Sequence, residues 1–277
     1  MVKIKDLLLR GADLLNSVSD SPRGEARILL SHALGVSTSY VLIHSETDVE
    51  DRTAKLFESY VSQRANHKPV AYILGEKEFY GLSFAVNEHT LIPRPETEMV
   101  VEEILGFGGK SLLDLCTGSG CIPIAAAANS DITAHGVDIC RGAVETAESN
   151  ARLHSLSEKV TFETADIFEK TEYGKFDIIS SNPPYITDAD MLTLPPDVAD
   201  FEPHTALAGG IDGLVFYRHI AEIAPQNLNP DGFLVLEIGI GEGDAVANLL
   251  ENNFTDIKIK KDLAGIERIV TARLRRI

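Results

Sequence analysis

The sequence has 277 residues, of which 44% are hydrophobic and 24% are charged, so it can bury a full core and is long enough for one large domain and a smaller one. It carries 25 lysine and arginine residues against 42 aspartate and glutamate residues, a formal net charge of −17. This charge repels phosphate polymers and anionic membranes, which disfavours extended nucleic acid and lipid as partners.

The N-terminal segment and the cysteines indicate the compartment. Residues 1–15 are apolar but are interrupted by charged side chains, unlike a signal peptide, and no apolar run reaches membrane-spanning length. Cys116, Cys121 and Cys140 are odd in number and lack C-x-x-C spacing, which fits neither a disulfide framework nor a zinc site. We therefore expect a cytoplasmic protein without a bound metal.

Residues 1–75 are predicted to form a small helical bundle. Apolar side chains recur at helical spacing in three stretches, and Ser21-Pro22 and Gly35 supply start and stop signals for the second of them. These apolar stripes carry no evident chemistry. The sequence therefore leaves packing, partner recognition, or both, as the role of the bundle.

Residues 76–95 are predicted to form a hairpin linker, because Phe79, Leu82 and Phe84 have the spacing of strands. The linker ends in the segment Pro93-Arg94-Pro95-Glu96-Thr97-Glu98, where Pro95 suits the first turn of a following helix. Arg94 lies between two prolines. We predict that it is an oriented ligand contact, and a solvated linker arginine is the alternative.

Residues 96–277 are predicted to form an α/β domain. Apolar, strand-like runs alternate with helical stretches, a pattern that favours a parallel sheet covered on both faces. The last two runs, 256–260 and 268–274, have no helix-length spacer between them and are predicted to pair as an antiparallel edge hairpin. The five earlier runs are 111–115, 132–137, 160–162, 176–181 and 232–238.

Small and acidic residues follow the first three of these strands, where open α/β sheets bind ligands. The first strand runs into Cys116-Thr117-Gly118-Ser119-Gly120, a loop whose glycines let the backbone approach a ligand closely. The second ends at Asp138, twenty residues after Gly118, where a carboxylate can accept both hydroxyls of a ribose. The third ends at Asp166-Ile167-Phe168, which suits an adenine ring, and a turn or N-cap aspartate is the alternative for Asp166.

The fourth strand ends in the corner Asn182-Pro183-Pro184-Tyr185. Two prolines cannot continue a sheet ladder, and each one fixes φ and removes an N–H donor, so the corner is stiff. It presents one amide side chain and one aromatic ring at the carboxyl end of a strand. The alternative interpretation is a proline turn with a surface tyrosine.

Together these segments resemble the class I S-adenosylmethionine-dependent methyltransferases, and more closely the protein-(glutamine-N5) methyltransferases that modify peptide chain release factors. The resemblance covers nearly the whole chain, and the Pro-Arg-Pro-Glu-Thr-Glu segment is its most particular motif. It implies a Rossmann-like, doubly wound seven-stranded sheet with an antiparallel edge hairpin, preceded by a helical-bundle domain. It also implies S-adenosylmethionine as cofactor and S-adenosylhomocysteine as product. Cys116 stands where many relatives carry glycine, and small side chains are expected to be tolerated there.

The resemblance implies the acceptor too, namely the side-chain nitrogen (N5) of the glutamine in the Gly-Gly-Gln motif of class 1 release factors. The catalytic residues are then Asn182, Pro183 and Tyr185, and the substrate contacts also include Pro184 and Arg94. The cofactor contacts are the residues of the loop 116–120 together with Asp138, Asp166, Ile167 and Asn182. The expected partner is a release factor bound by a monomer, with no direct nucleic acid, no membrane, and recognition through the helical domain.

Three other functions stay open from the residues themselves. The acidic charge argues against a nucleic-acid methyltransferase, which should show a basic face. Pro123 stands in the place of the third glycine of a dinucleotide fingerprint, which argues against a nicotinamide-dependent oxidoreductase. A non-catalytic binding module is the third, and it need not keep Asn182, Asp138 and Gly118 together.

Overall fold

The structure is a computed structural model that describes residues 2–276. The α-helices of this part of the chain are α1 (Ile4–Leu15), α2 (Pro22–Leu34), α3 (Thr38–Ile43), α4 (Asp51–Ala65), α5 (Val70–Leu74), α6 (Glu98–Phe107), α7 (Cys121–Ala128), α8 (Arg141–Leu153), α9 (Pro196–Ala199), α10 (Val215–Asn227) and α11 (Gly243–Leu250). The strands are β1 (Val2–Lys3), β2 (Asp48–Val49), β3 (Glu76–Phe79), β4 (Leu82–Ala85), β5 (Ser111–Leu115), β6 (Thr133–Asp138), β7 (Val160–Thr164), β8 (Phe176–Ser181), β9 (Ile186–Thr187), β10 (Ala208–Gly210), β11 (Leu228–Glu237), β12 (Phe254–Lys261) and β13 (Glu267–Leu274).

The chain divides into two compact units. The first runs to Glu76 and also includes Pro195–Phe201, and the second comprises Lys77–Leu194 and Glu202–Ile277. Buried apolar side chains of α1, α2 and α4, among them Leu7, Leu29 and Phe57, form the core of the first unit. The predicted helices are therefore present, and α3 and α5 are additional short ones.

The second unit is built on a seven-stranded sheet with the strand order β12-β13-β11-β8-β5-β6-β7. The five strands from β11 to β7 in this order pair in parallel, whereas β13 pairs antiparallel with both β11 and β12. This confirms the predicted parallel sheet and its antiparallel edge hairpin. Along the chain, β5 is the first strand of this sheet, and it lies between β6 and β8. The strand order therefore reverses between β5 and β8.

Side-chain alternation along the strands creates a core on each face of the sheet. In β5, Leu112 belongs to one apolar cluster and Leu113 to the other, and in β8 Ile178 and Ile179 divide in the same way. Helices α6 and α7 cover the first face, and α10 and α11 cover the second. Both faces of the parallel strands are therefore buried, which leaves their carboxyl ends as the place for polar chemistry.

Within residues 2–276, no helix combines the length and the apolar character that crossing a bilayer requires.

Candidate active site

A cavity of about 460 Å³ opens at the carboxyl ends of four neighbouring parallel strands of the second unit. Its volume lies within the range of about 300–1,000 Å³ that is typical of small-molecule sites. The lining residues are those of the segments 116–119, 137–140, 165–168 and 204–206 together with His89, Leu91, Pro93, Arg94, Thr97, Cys121, Ile122, Asn182, Pro184, Ala208 and Phe216. The strand ends predicted from sequence therefore meet at one cavity.

The loop after β5 is held by the strand-end carboxylate of Asp138. One oxygen of Asp138 accepts a hydrogen bond from the Gly118 N–H at 2.8 Å, and the other accepts from the Cys140 N–H at 2.9 Å. Burial raises the pKa of this carboxyl. A carboxylate offers about four lone pairs, so each oxygen keeps acceptor capacity for a ligand hydroxyl at the cavity wall. The geometry is compatible with the predicted contact to a ribose.

The backbone of this loop requires unusual conformations. Gly118 has φ 56° and Cys116 has φ 60°, the left-handed region that favours glycine. A small side chain at position 116 is therefore accommodated, but its left-handed backbone carries a conformational cost. Gly120 is buried at φ 76° against Phe162 and does not line the cavity, so its role is to let the loop enter α7.

The segment after β7 provides an apolar wall. Asp166 accepts a hydrogen bond from the Phe168 N–H at 2.9 Å, the turn contact of the alternative interpretation, and it also lines the cavity. Ile167 lines the cavity and is buried. Two exposed apolar side chains complete the wall: Phe168, whose ring centroid lies 4.5 Å from that of His219, and Ile139, which the sequence analysis missed. Ile139 directly follows the strand-end residue Asp138, and that was the available signal, whereas β7 ends at Thr164, two residues before the predicted strand end at Asp166.

The proline corner is only partly at the cavity. The Asn182 Nδ2 donates a hydrogen bond to the Thr97 Oγ1 at 3.2 Å, and Asn182 and Pro184 line the cavity. The side chains of Pro183 and Tyr185 do not line it. Tyr185 packs against the apolar cluster on the α10 and α11 face, and burial raises the pKa of its phenol. The structure thus brings Asn182 and Pro184 to the cavity and places the Tyr185 ring away from its wall.

Arg94 lines the cavity and is paired with a buried carboxylate. One nitrogen of its guanidinium lies 2.5 Å from the Glu202 Oε1, and the Glu202 side chain is 1% exposed. The second Glu202 oxygen accepts from the Ile92 N–H at 3.4 Å. Arg94 is thus an oriented cation at the cavity wall, and Glu202 is the orienting partner that the sequence did not suggest.

Two further carboxyl groups lie buried at strand ends near the cavity. Asp114 accepts hydrogen bonds from the hydroxyls of Thr117 and Ser180, each at 2.6 Å. Glu237 is the last residue of β11, and its Oε2 has no hydrogen-bond partner. Burial raises the pKa of each carboxyl to about 7. The sequence analysis assigned neither residue a role.

These residues fit a nucleoside cofactor. Asp138 supplies acceptors for hydroxyl groups, and the wall formed by Ile139, Ile167 and Phe168 suits an aromatic base. Arg94 supplies a cation for a carboxylate. In the part of the chain that the structure describes, no group of three or more His, Cys, Asp or Glu side chains could hold a metal ion.

Comparisons with known proteins identify the relatives of this chain. The model of the PrmC N-terminal domain matches residues 6–75, and that of a methyltransferase domain matches residues 107–236. A release factor glutamine methyltransferase from Clostridium acetobutylicum is 38% identical over 280 residues, which cover 98% of each sequence. Another from Rhodospirillum rubrum is 42% identical over 276 residues, covering 97% of this chain and 84% of that protein.

Solved structures share the fold at low sequence identity. A methyltransferase from Pyrococcus furiosus has a TM-score of 0.55 at 18% identity and covers 78% of this chain and 96% of its own. The hMettl16 catalytic domain, solved with an RNA hairpin, has a TM-score of 0.58 at 16% identity and covers 78% and 82%. These likenesses show the class I methyltransferase fold. With the full-length similarity to curated relatives, the conclusion is that this chain belongs to the release factor glutamine methyltransferase family.

Proposed function

We propose that this protein transfers a methyl group from S-adenosylmethionine to N5 of the glutamine in the Gly-Gly-Gln motif of class 1 peptide chain release factors. The observation that carries the proposal is the Asn182 carboxamide, held at the wall of the cavity by Thr97 and facing the same space as Asp138. Family membership supports the acceptor, and the net charge of −17 supports a protein rather than a nucleic acid as partner.

The cofactor contacts that we propose follow from the acceptors and apolar groups of the wall. Asp138 accepts from the ribose hydroxyls, Asp166 accepts from the exocyclic amine of the adenine, and Ile167 packs against the ring. The backbone of 116–119 borders the rest of the cofactor, and Gly120 acts by letting the loop enter α7. Bound S-adenosylmethionine supplies an electrophilic methyl group on a sulfonium.

The protein's own contribution is to position a weak nucleophile. An amide nitrogen reacts poorly because its lone pair is delocalised, so orientation of the acceptor is the main catalytic task. We propose that the Asn182 Oδ1 accepts one N–H of the acceptor amide and that the Pro183 carbonyl accepts the other. Pro183 lies between two residues that line the cavity, which supports this role for its main chain. Both oxygens also stabilise positive charge that develops on the nitrogen.

Tyr185 is the proposed catalytic residue whose ring lies away from the cavity wall. Its ring packs on the apolar cluster behind the corner, so exclusion of water from the acceptor would act through the corner rather than at the cavity wall. Arg94 is the proposed cation for a substrate carboxylate or carbonyl, and its pairing with Glu202 supports a defined orientation.

For the helical unit we propose recognition of the body of the release factor. Its short helix α3 carries Leu42 and Ile43, which are 57% and 76% exposed, and exposed apolar side chains that cluster mark interaction surfaces. Every residue that lines the cavity belongs to the second unit. Substitution of Leu42 and Ile43 by glutamate should therefore raise KM for the intact release factor and leave cofactor affinity unchanged.

One experiment tests the proposed activity. The protein is incubated with labelled S-adenosylmethionine and a purified class 1 release factor, and the product is mapped by mass spectrometry. One added methyl group on the glutamine of Gly-Gly-Gln is expected, with none when that glutamine is replaced by glutamate. The Asn182→Ala variant is the matched enzyme control. Label on another residue, or on RNA and not on the release factor, contradicts the proposal.

A further inference from the structure

The Glu237 carboxyl group lies buried in the second unit with one oxygen unpaired, which is energetically unfavourable. The residue is 3% exposed, and its Oε2 has no hydrogen-bond partner. An unpaired polar atom in a protein interior costs free energy, and a carboxylate costs more than a neutral group. An apolar residue at the end of β11 would avoid this cost. The group therefore calls for a role that an apolar side chain cannot perform.

The neighbours of Glu237 connect it to the proposed acceptor site. Burial raises its pKa to about 7, and hydrogen bonding by the side chains of Thr97 and Asn182 opposes that rise. Thr97 is itself 2% exposed, and its Oγ1 accepts from the Asn182 Nδ2 at 3.2 Å. The buried side chains of Glu237 and Thr97 and the half-buried side chain of Asn182 thus lie together in one polar network that ends at the cavity.

The direction of the hydrogen bonds in this network decides which end of the Asn182 carboxamide faces a ligand. An ionised carboxylate only accepts, and a hydroxyl has a single hydrogen to donate. When Thr97 donates that hydrogen to Glu237, its oxygen accepts from an N–H of Asn182. The Asn182 amino group then points into the network, and Oδ1 is left for the cavity. The opposite orientation would present N–H donors to an acceptor amide that itself brings N–H groups.

We propose that Glu237 is a positioning residue that, through Thr97, holds the Asn182 carboxamide with Oδ1 toward the acceptor nitrogen. The proposal rests on the proposed function for its catalytic consequence. The network itself is independent of that function. Its orienting effect belongs to the ionised carboxylate, because a protonated Glu237 can donate to either neighbour and removes the preference.

The proposal therefore predicts a dependence on pH. Raising the pH through about 7 ionises Glu237, locks the carboxamide and increases kcat. Several charged or titratable groups surround Glu237 and are unchanged in the variants below: Glu96, Arg268, Cys121, Tyr185 and Tyr217. Asp114, whose pKa is also raised to about 7, is likewise present in every variant, so only the pH response that Glu237→Gln removes belongs to Glu237.

The variants remove one link of the network at a time. Thr97→Val keeps the shape and removes the hydroxyl, Thr97→Ser restores a hydroxyl, and Glu237→Gln replaces the obligate acceptor by a group that also donates. Thr271→Val is the matched control, because Thr271 is an equally buried threonine of the same unit outside this network. Melting curves establish that each variant is folded.

Two measurements test the proposal. With the release factor, we expect Thr97→Val and Glu237→Gln to lower kcat by about tenfold or more with little change in KM. Thr97→Ser should recover most of the wild-type kcat. The rise of kcat with pH should vanish in Glu237→Gln. By NMR without substrate, we expect the Asn182 side-chain amide resonances, assigned by their absence in Asn182→Asp, to titrate near pH 7 in the wild type. They should be insensitive to pH in Glu237→Gln, should titrate with a smaller change in Thr97→Val, and should be unaltered in Thr271→Val.

The NMR measurement needs no methylation, so it separates the two hypotheses. A wild-type enzyme that does not methylate the release factor overturns the proposed function and leaves the amide titration to decide the network. Resonances of Asn182 that do not titrate in the wild type, or that titrate equally in Glu237→Gln, overturn the positioning role. Normal kcat in well-folded Thr97→Val and Glu237→Gln, with an active wild type, overturns its catalytic consequence.

Discussion

A buried carboxyl group lies on a parallel strand near the proposed cofactor end of the cavity, and another lies near the proposed acceptor end, and the two groups differ in their hydrogen bonding. Asp114, the penultimate residue of β5, accepts from two hydroxyls at 2.6 Å and so has both oxygens paired. Glu237, at the end of β11, keeps one oxygen without a partner. Burial raises the pKa of both to about 7.

This difference separates a loop held by fully paired groups from a network that keeps one unpaired acceptor. At the cofactor end, Asp114 holds Thr117 and Asp138 holds the N–H of Gly118, so the loop has its shape before any ligand binds. At the acceptor end, the network of Glu237 and Asn182 has acceptor capacity left over. Enzymes stabilise transition states with groups oriented in advance, and buried polar networks provide that orientation at a cost in stability.

The largest effect is expected at the acceptor end. Asn182→Ala removes the carboxamide oxygen and should lower kcat by roughly 100-fold to 1,000-fold, in line with the loss of one transition-state hydrogen-bonding group. KM and cofactor affinity should change much less, because the contact strengthens mainly as charge develops on nitrogen. Single-turnover kinetics and calorimetry with S-adenosylmethionine measure the two effects separately.

Asn182→Asp sharpens the same test. It retains an acceptor oxygen but adds a charge next to Glu237, so its activity should exceed that of Asn182→Ala if oxygen placement is what matters. A turn residue with no catalytic role would affect the rate only through the folded fraction. A variant that melts earlier but turns over at the wild-type rate per folded molecule would contradict the assignment.

The sequence predicts these two ends unequally. Asp138 and Asn182 follow apolar runs directly, so their position at strand ends is visible from the chain alone. Glu237 also ends such a run, but its relation to Asn182 depends on β11 lying beside β8, which the order along the chain does not reveal. Thr97 is 85 residues from Asn182 and belongs to a motif that was noted without a role. Strand order and hydrogen-bond satisfaction are properties of the packed sheet, and short-range patterns do not encode them.

The second largest effect is expected at Asp138. Asp138→Ala removes the proposed acceptors for the ribose and the two contacts that hold the loop, so cofactor affinity should weaken at least about tenfold, or about 1.4 kcal/mol. Glu145→Ala on the exposed side of α8 is a matched acidic control that should leave the affinity unchanged. Calorimetry decides, and an unchanged affinity in Asp138→Ala would remove this residue from the site.

A smaller effect concerns stability at the cofactor end. The pKa of Asp114 is about 7 in the folded protein and 3.8 in the unfolded chain, so the protonated carboxyl group stabilises the folded state at low pH. That contribution is lost as the pH rises from about 4 through about 7. Asp114→Asn does not undergo this loss and keeps partners for both hydroxyls. The free energy of unfolding of the variant, relative to the wild type, should therefore increase by about 1 kcal/mol or more between pH about 5 and about 8.

Denaturation in urea at several pH values measures this difference directly. Asp177→Asn provides the contrast, because its backbone and side-chain hydrogen bonds lower the pKa of Asp177 and the sign of its contribution is opposite. The stability that Asp177 provides is lost as the pH falls, so its variant should compare worst with the wild type at high pH. A difference between Asp114→Asn and wild type that does not vary with pH would show that Asp114 is ionised throughout.

The smallest effect is expected at Cys116, whose φ of 60° combines a left-handed backbone with a side chain packed on the apolar cluster. Cys116→Gly relieves roughly 1–2 kcal/mol of backbone strain. It also raises the conformational entropy of the unfolded chain, which lowers the stability of the fold by about 0.4–1 kcal/mol, and it removes packing worth about 0.8 kcal/mol. These terms nearly cancel, so urea denaturation should show a change within about 1 kcal/mol, whereas Cys116→Val keeps the strain and should destabilise the protein.

Cofactor affinity in Cys116→Gly should stay within about twofold of wild type, because Asp138 holds the loop through its backbone. A tenfold loss would mean that the thiol, and not the backbone, shapes the preformed end of the cavity.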